Sequence, residues 1–217
     1  MANLEGPDQF TAAILDFQSS DSKIPSGRAK AAAGYCLTCT DQPHVAAQFY
    51  ERAIKSGFDT PAVRNNLGYC CLKRADSKSA RVHFDVALNM EPNLAVMHHN
   101  RALLFWLEAR RTGQSKKEID DLVLLGIAAA KKAALLGHAS PELQFDTARL
   151  YALAAQSDPS MIEPAADHLR AALAGGYDRR KDTTFAHLRN SEPFKNLAGL
   201  QPGPEQPIAP RYVDPIR

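Results

Sequence analysis

Small and large apolar residues return along this chain at fixed offsets. Counted from Gly27, Gly34 holds position 8, Ala46 position 20, Tyr50 position 24 and Ala53 position 27. Counted again from Pro61, 34 residues on, Leu67 falls at position 7, Gly68 at 8, Ala80 at 20, Phe84 at 24, Ala87 at 27 and Pro92 at 32. Small residues recur where two helices must approach closely, and aromatic residues recur where a helix face needs a large filler. Gly34-Tyr35-Cys36 and Gly68-Tyr69-Cys70 are therefore one position of a repeating two-helix unit seen twice.

A third unit begins at Ala95 with "AVMHHNRALLFWLEARR", where Asn100, Ala102 and Phe105 hold positions 6, 8 and 11. Its second helix is displaced: Gly126, Ala130 and Ala133 stand where positions 20, 24 and 27 belong, and the unit runs 95–140, 12 residues over the period. Ser115 followed by Glu118 is a capping-box pattern at the intervening turn. The apolar spacing continues through the extra residues, which predicts longer helices rather than an insert. A fourth unit, 141–179, places Ala148, Tyr151, Ala165, Leu169 and Ala172 in register, with "QSDPS" as a longer turn. Residues 1–26 carry a short apolar-periodic stretch, "DQFTAAILDFQS", that suits a capping helix, followed by a linker. Residues 180–200 suit a second cap, and the tail 201–217 holds five prolines in 17 residues, so it is neither helix nor central strand.

The 34-residue helix–turn–helix period, with Gly34, Ala46, Tyr50 and Ala53 matched by Gly68, Ala80, Phe84, Ala87 and Pro92, resembles the tetratricopeptide repeat (TPR). The match covers 27–179 as four repeats (27–60, 61–94, 95–140 and 141–179); the second is the fullest, lacking only the usual aromatic at position 11, where Cys71 stands. The resemblance implies an all-α fold, a right-handed TPR-like α-solenoid of about four helical hairpins with helical caps. A narrower resemblance, carried by "FDTARLYALAA", "AADHLRAALAGGYD" and "FAHLRNSEPFKNL", is to the C-terminal ends of TPR regions in large bacterial signalling proteins, many with a Ser/Thr kinase domain upstream. This chain has no Gly-rich phosphate loop, no H-R-D and no D-F-G.

Composition agrees with a globular helical array. Apolar residues make up 45% of the 217, and a net charge of +2 gives no bulk attraction to nucleic acid or an anionic membrane. The longest apolar run, near Leu122–Ala130, is far too short to span a bilayer, and "MANLEGPDQF" has neither a basic start nor an apolar signal core. The expectation is a soluble cytoplasmic protein with thiol cysteines.

No catalytic constellation stands out, so no catalytic residue, metal or cofactor is expected. Cys36 and Cys39 share a helix face, but adjacent Cys70 and Cys71 diverge by about 100°, and a zinc site needs four converging ligands. Buried structural thiols are the simpler reading, and a thiol- or zinc-dependent sensor using Cys36, Cys39 and Cys70 is the alternative. His98 and His99 likewise point apart. Asp120, Asp121 and Asp146 read as solvated helix surface.

The TPR resemblance instead directs attention to the concave groove lined by first helices. Positions 2, 5, 6, 9, 12 and 13 give Arg28, Tyr35, Thr38 and Cys39 from the first repeat and Asn65, Asn66, Tyr69, Leu72 and Lys73 from the second. The third gives His99, Asn100, Leu103, Trp106 and Leu107, and the fourth Glu142, Phe145, Asp146 and Arg149. Asn66 and Asn100 share a position, and an Asn amide can hydrogen-bond the backbone of an extended peptide or simply tie neighbouring helices together. Tyr35, Tyr69 and Trp106 are the aromatic anchors. The chaperone-tail carboxylate clamp is excluded, since its cationic positions are filled by Ala31, Val96 and Asn100. The expectation is a non-catalytic module binding a peptide or partner protein, with no nucleic acid or membrane. Docking within a larger kinase-associated protein is an alternative. Self-association through the 95–140 hairpin, with Phe105, Trp106 and Leu107 at the contact, is another expectation to test, and the Pro-rich tail is a candidate occupant of the groove.

Overall fold

This computed structural model describes residues 26–137, 140–204 and 211–216. The chain divides into two compact units, Met1–Asn93 with Arg211–Arg217, and Leu94–Pro210. Every regular element among the described residues is helical.

The first unit holds two hairpins. Helix α1 (Gly27–Cys39) pairs with α2 (Pro43–Lys55), and α3 (Pro61–Lys73) pairs with α4 (Ser77–Met90). Each start has a local cause. The Ser26 hydroxyl accepts from Ala29 N, Thr60 from Val63 N and the Asp76 carboxylate from Ser79 N, while Pro43 and Pro61 open their helices where no amide donor is needed. The repeating glycines are spaces for aromatic rings. A Cβ on Gly34 would lie 2.9 Å from the Tyr50 ring, and one on Gly68 would lie 2.7 Å from the Phe84 ring. Both rings are fully buried, so neither can move aside cheaply.

The second unit holds α5 (Ala95–Ala109), α6 (Lys116–Leu135), α7 (Pro141–Ala154), α8 (Ile162–Ala174) and α9 (Glu192–Ala198). Helix α6 runs 20 residues, against 13 or 14 for the helices of the first unit. Its start carries the full capping box: Ser115 Oγ accepts from Glu118 N, and Glu118 Oε2 accepts from Ser115 N at 2.7 Å. One continuous core joins Phe105, Val123, Leu143, Leu150, Leu169, Phe185 and Leu197. The C-terminal cap is split rather than a single helix. A short 3₁₀ stretch, Thr183–Leu188, is followed by α9, which restarts after Ser191 with Pro193 in its first turn. The capping helix expected within 1–26 lies outside the described residues.

Candidate functional site

The exposed face of α1 and α3 in the first unit already carries a segment of chain. Arg211–Ile216 lies there, held mainly through its backbone. Asn66 Nδ2 donates to Val213 O at 2.7 Å, and Val213 N donates to Asn66 Oδ1 at 2.8 Å. The side-chain amide thus pairs with one residue's N–H and C=O as a neighbouring β-strand would. Asn65 Nδ2 donates to Arg211 O at 3.1 Å, and the Arg28 guanidinium donates to Ile216 O at 3.1 Å. The Tyr212 ring meets the Tyr69 ring edge-on, with centroids 4.9 Å apart, and Pro215 is buried. Burial raises the Tyr212 phenol well above its ordinary range, with Cys70, Tyr69, Tyr50 and Asp41 adding to the effect.

Asn66 is fully buried and makes two further bonds inside the unit. Its Nδ2 also donates to Tyr50 Oη at 3.2 Å, and its Oδ1 also accepts from Asn65 Nδ2 at 3.2 Å. An amide offers two donors and two acceptor sites, and all four are used. Two are satisfied by the helical hairpins and two by the C-terminal segment, so at Asn66 a helix tie and a pairing with backbone occur together.

The other candidates of the first unit have mixed fates. Tyr35 is half-buried, and its carbonyl accepts from the Thr38 hydroxyl at 2.6 Å. Lys73 is exposed and pairs with Asp41 at 3.0 Å. Of the cysteines, Cys70 and Cys71 are buried as expected, but Cys36 is only partly buried and Cys39 is exposed, which corrects the reading of all four as core thiols. Asp214 of the C-terminal segment lies near enough for its charge to act on both of these thiols. Burial raises every one of the four, Cys70 to about 12 and Cys71 to about 11, with Cys39 adding to the rise at Cys36. A reactive nucleophilic cysteine has the opposite shift. Among the described residues no three His, Cys, Asp or Glu side chains gather as metal ligands would.

In the second unit the candidates converge, but on one another. The Arg149 guanidinium lies 4.1 Å from the Trp106 ring centroid and 4.2 Å from that of Phe145. It donates to Asp146 at 3.2 Å and to Asp182 at 2.5 Å. Asp146 also accepts from His99 Nε2 at 3.1 Å. His99, Asn100, Trp106 and Phe145 are buried, and Leu103 is partly buried against the core. Burial tends to raise Asp182, but bonds from Arg149 and from the Thr184 amide outweigh it and hold the carboxyl below its usual range. This cluster is a buried cation–aromatic–carboxylate node rather than an open surface, and Asp146 in it is buried, which corrects its reading as solvated helix surface. Arg149 Nε and Trp106 Nε1 are buried there without a hydrogen-bond partner among the described residues. Asp182 had no sequence signal, because "DRRKD" reads as an ordinary solvated charge run.

The hairpin architecture is that of TPR proteins. A crystal structure of TTC0263, a thermophilic TPR protein from Thermus thermophilus, superposes with a TM-score of 0.63 at 16% sequence identity. The superposition covers 79% of this chain and 85% of that one. The chain has a TPR-like fold. The sequence matches no protein-family model and no curated protein. The likeness to TTC0263 therefore shows the all-α, TPR-like α-solenoid class and nothing finer. Among the described residues no helix is long and apolar enough to cross a membrane.

Proposed function

We propose that this TPR-like chain is a non-catalytic protein-interaction module whose α1/α3 face receives an extended peptide. The observation that carries the reading is the Asn66 amide. It is fully buried, oriented by Tyr50 and Asn65, and leaves one donor and one acceptor that only a peptide backbone fills. With the segment gone water would reach those two groups, so each bond to a peptide backbone contributes about 1 kcal/mol net. Tyr69 beside it offers an aromatic wall, and Arg28 offers a cation for the ligand's carbonyl. TPR-like folds serve generally as protein-interaction modules, which supports the same conclusion.

The test is an array of immobilised extended peptides probed with the native chain and with an Asn66→Ala/Tyr69→Ala variant first shown to keep its helical content. Peptides bound by the native chain and lost by the variant support the reading. Equal binding by both moves the site away from α1 and α3. A cytoplasmic, bacterial setting goes with this proposal, since all four cysteines are free thiols. The resemblance of 141–197 to signalling-protein TPR ends supports a docking role beside a kinase, and co-purification with such a kinase would test it. Phe105 and Trp106, expected at a self-association contact, are buried and Leu107 packs on the core, so a second contact surface is supported instead by α6, where Leu124, Leu125 and Leu135 are 64%, 50% and 84% exposed. Self-association through this hairpin predicts a concentration-dependent dimer in light scattering, lost in Leu124→Glu/Leu125→Glu.

A further inference from the structure

The segment seated on α1 and α3 is the chain's own, and its chemistry describes what the face accepts. We propose that Arg211–Ile216 is an intramolecular ligand, and that the partner is a peptide copying its pattern: an aromatic residue, a β-branched residue in extended conformation, a residue such as Asp whose side chain accepts a hydrogen bond, then proline. The inference rests on the peptide-binding reading above and names its ligand class.

Each part of the pattern has a cause. Tyr212 supplies the ring that meets Tyr69 edge-on. Val213 supplies the N–H and C=O that Asn66 pairs with. That pairing requires an extended backbone, which a β-branched residue favours. A proline at 213 is excluded, because it has no N–H to donate. Pro215 is the buried residue of the segment, and it presets the turn that carries Ile216 O to Arg28. Asp214 accepts from Ile216 N at 3.0 Å, which stabilises the same turn. The Asn66 and Asn65 contacts go to backbone atoms, so they fix register, while Tyr69 and the buried proline select side chains.

A tethered segment competes at an effective concentration of about 1 mM for a short connection. A free peptide of the same sequence with an intrinsic Kd of about 250 μM would therefore bind the native chain about fivefold more weakly than a chain whose tail is disabled. The partner must carry contacts beyond these six residues or arrive at high local concentration. The tail thus sets a threshold on partner affinity.

The probe is the synthetic heptapeptide Arg-Tyr-Val-Asp-Pro-Ile-Arg with a fluorescent label, titrated by anisotropy against two full-length proteins. One is the native chain and the other carries Tyr212→Ala/Pro215→Ala. The expected result is about fivefold tighter binding by the variant. A second peptide, N-methylated at the valine, removes only the N–H that faces Asn66 and leaves the protein untouched; it should bind the tail variant about fivefold more weakly or worse. Equal binding of the labelled peptide by both proteins would overturn the competition. Equal binding of the two peptides would overturn the Asn66 pairing. If neither protein binds this peptide while other extended peptides bind in an Asn66- and Tyr69-dependent way, the pattern falls and the peptide-binding reading stands. If no peptide depends on Asn66 or Tyr69, both fall.

Discussion

Gly68→Ala separates two opposing effects within one methyl group. Alanine is the better helix former by about 1 kcal/mol, and Gly68 lies inside α3, so propensity alone favours the change. Sterics oppose it. The new Cβ would sit 2.7, 2.8 and 3.2 Å from three atoms of the Phe84 ring, which is fully buried and held in place. Overpacking of this kind costs about 1–3 kcal/mol, so the net expectation is a loss of up to about 2 kcal/mol. The reasoning becomes sharp in a Phe84→Leu background. That change costs about 1–3 kcal/mol by itself, but it removes the ring the methyl would strike. Gly68→Ala should then be neutral or stabilising by up to about 1 kcal/mol, a reversal of sign. Urea unfolding followed by circular dichroism measures the cycle. Amide exchange along α3 serves as the local check, since the single tryptophan, Trp106, lies in the other unit. The same loss in both backgrounds would refute the ring contact as the reason for glycine here, and a gain in the native background would refute the steric argument altogether.

Two further outcomes test the cysteines and the charge pairs. With a thiol reagent at neutral pH, Cys39 should react first and Cys36 more slowly. Cys70 and Cys71, raised to about 12 and about 11 by burial, should react only at the rate of local opening; mass-mapped alkylation reads the order. Asp59 is held below its usual range chiefly by the Arg64 guanidinium, which donates to both of its oxygens at 2.7 and 2.6 Å, against a smaller upward push from burial. A depressed carboxyl contributes stability that is fully present above its unfolded pKa of about 4 and is lost as pH falls through the folded value. The native chain's advantage over Asp59→Asn, about 1 kcal/mol or less for a partly exposed pair, should be constant above about pH 5 and gone near pH 2 in urea midpoints. An advantage that persists unchanged at pH 2 would show that the carboxylate charge is not its source.

The helical pairing was legible because it is written in side-chain size. Gly34 opposite Tyr50 and Gly68 opposite Phe84 repeat at one spacing, and a 34-residue offset exposes them. The capping box at Ser115 and Glu118 was legible for a similar reason, since it needs two residue types at one interval. Asn65, Asn66 and Tyr69 were legible as a face, and the Pro-rich composition of the tail named a candidate occupant, but not which tail residues meet which side chains. What occupies it is paired through backbone N–H and C=O groups, which every residue but proline carries, so no residue type announces it. In the second unit Trp106, Phe145 and Arg149 were named together and do come together, yet as a closed node. The closing partner, Asp182, stands outside the repeat register, where periodicity says nothing about which carboxylate a cation will find.

The amide of Asn66 also bounds how tightly the face can hold a peptide. Tyr50 and Asn65 fix its orientation before any ligand arrives, so little rotamer entropy remains to be lost on binding. Its two bonds to Val213 then contribute about 1 kcal/mol each, and the Tyr69–Tyr212 contact about another 1 kcal/mol. The buried proline adds about 1–2 kcal/mol. The sum, about 4–5 kcal/mol, is a ceiling from which lost translational and rotational freedom is subtracted, so a free copy binds no tighter than a few hundred micromolar. At an effective concentration of about 1 mM, tethering lets so weak a segment occupy the face at most about four-fifths of the time. A free partner using the same pattern must therefore reach past Arg28 or Asn65 for additional contacts, and the residues flanking the pattern, rather than the pattern itself, would decide which partner displaces the tail.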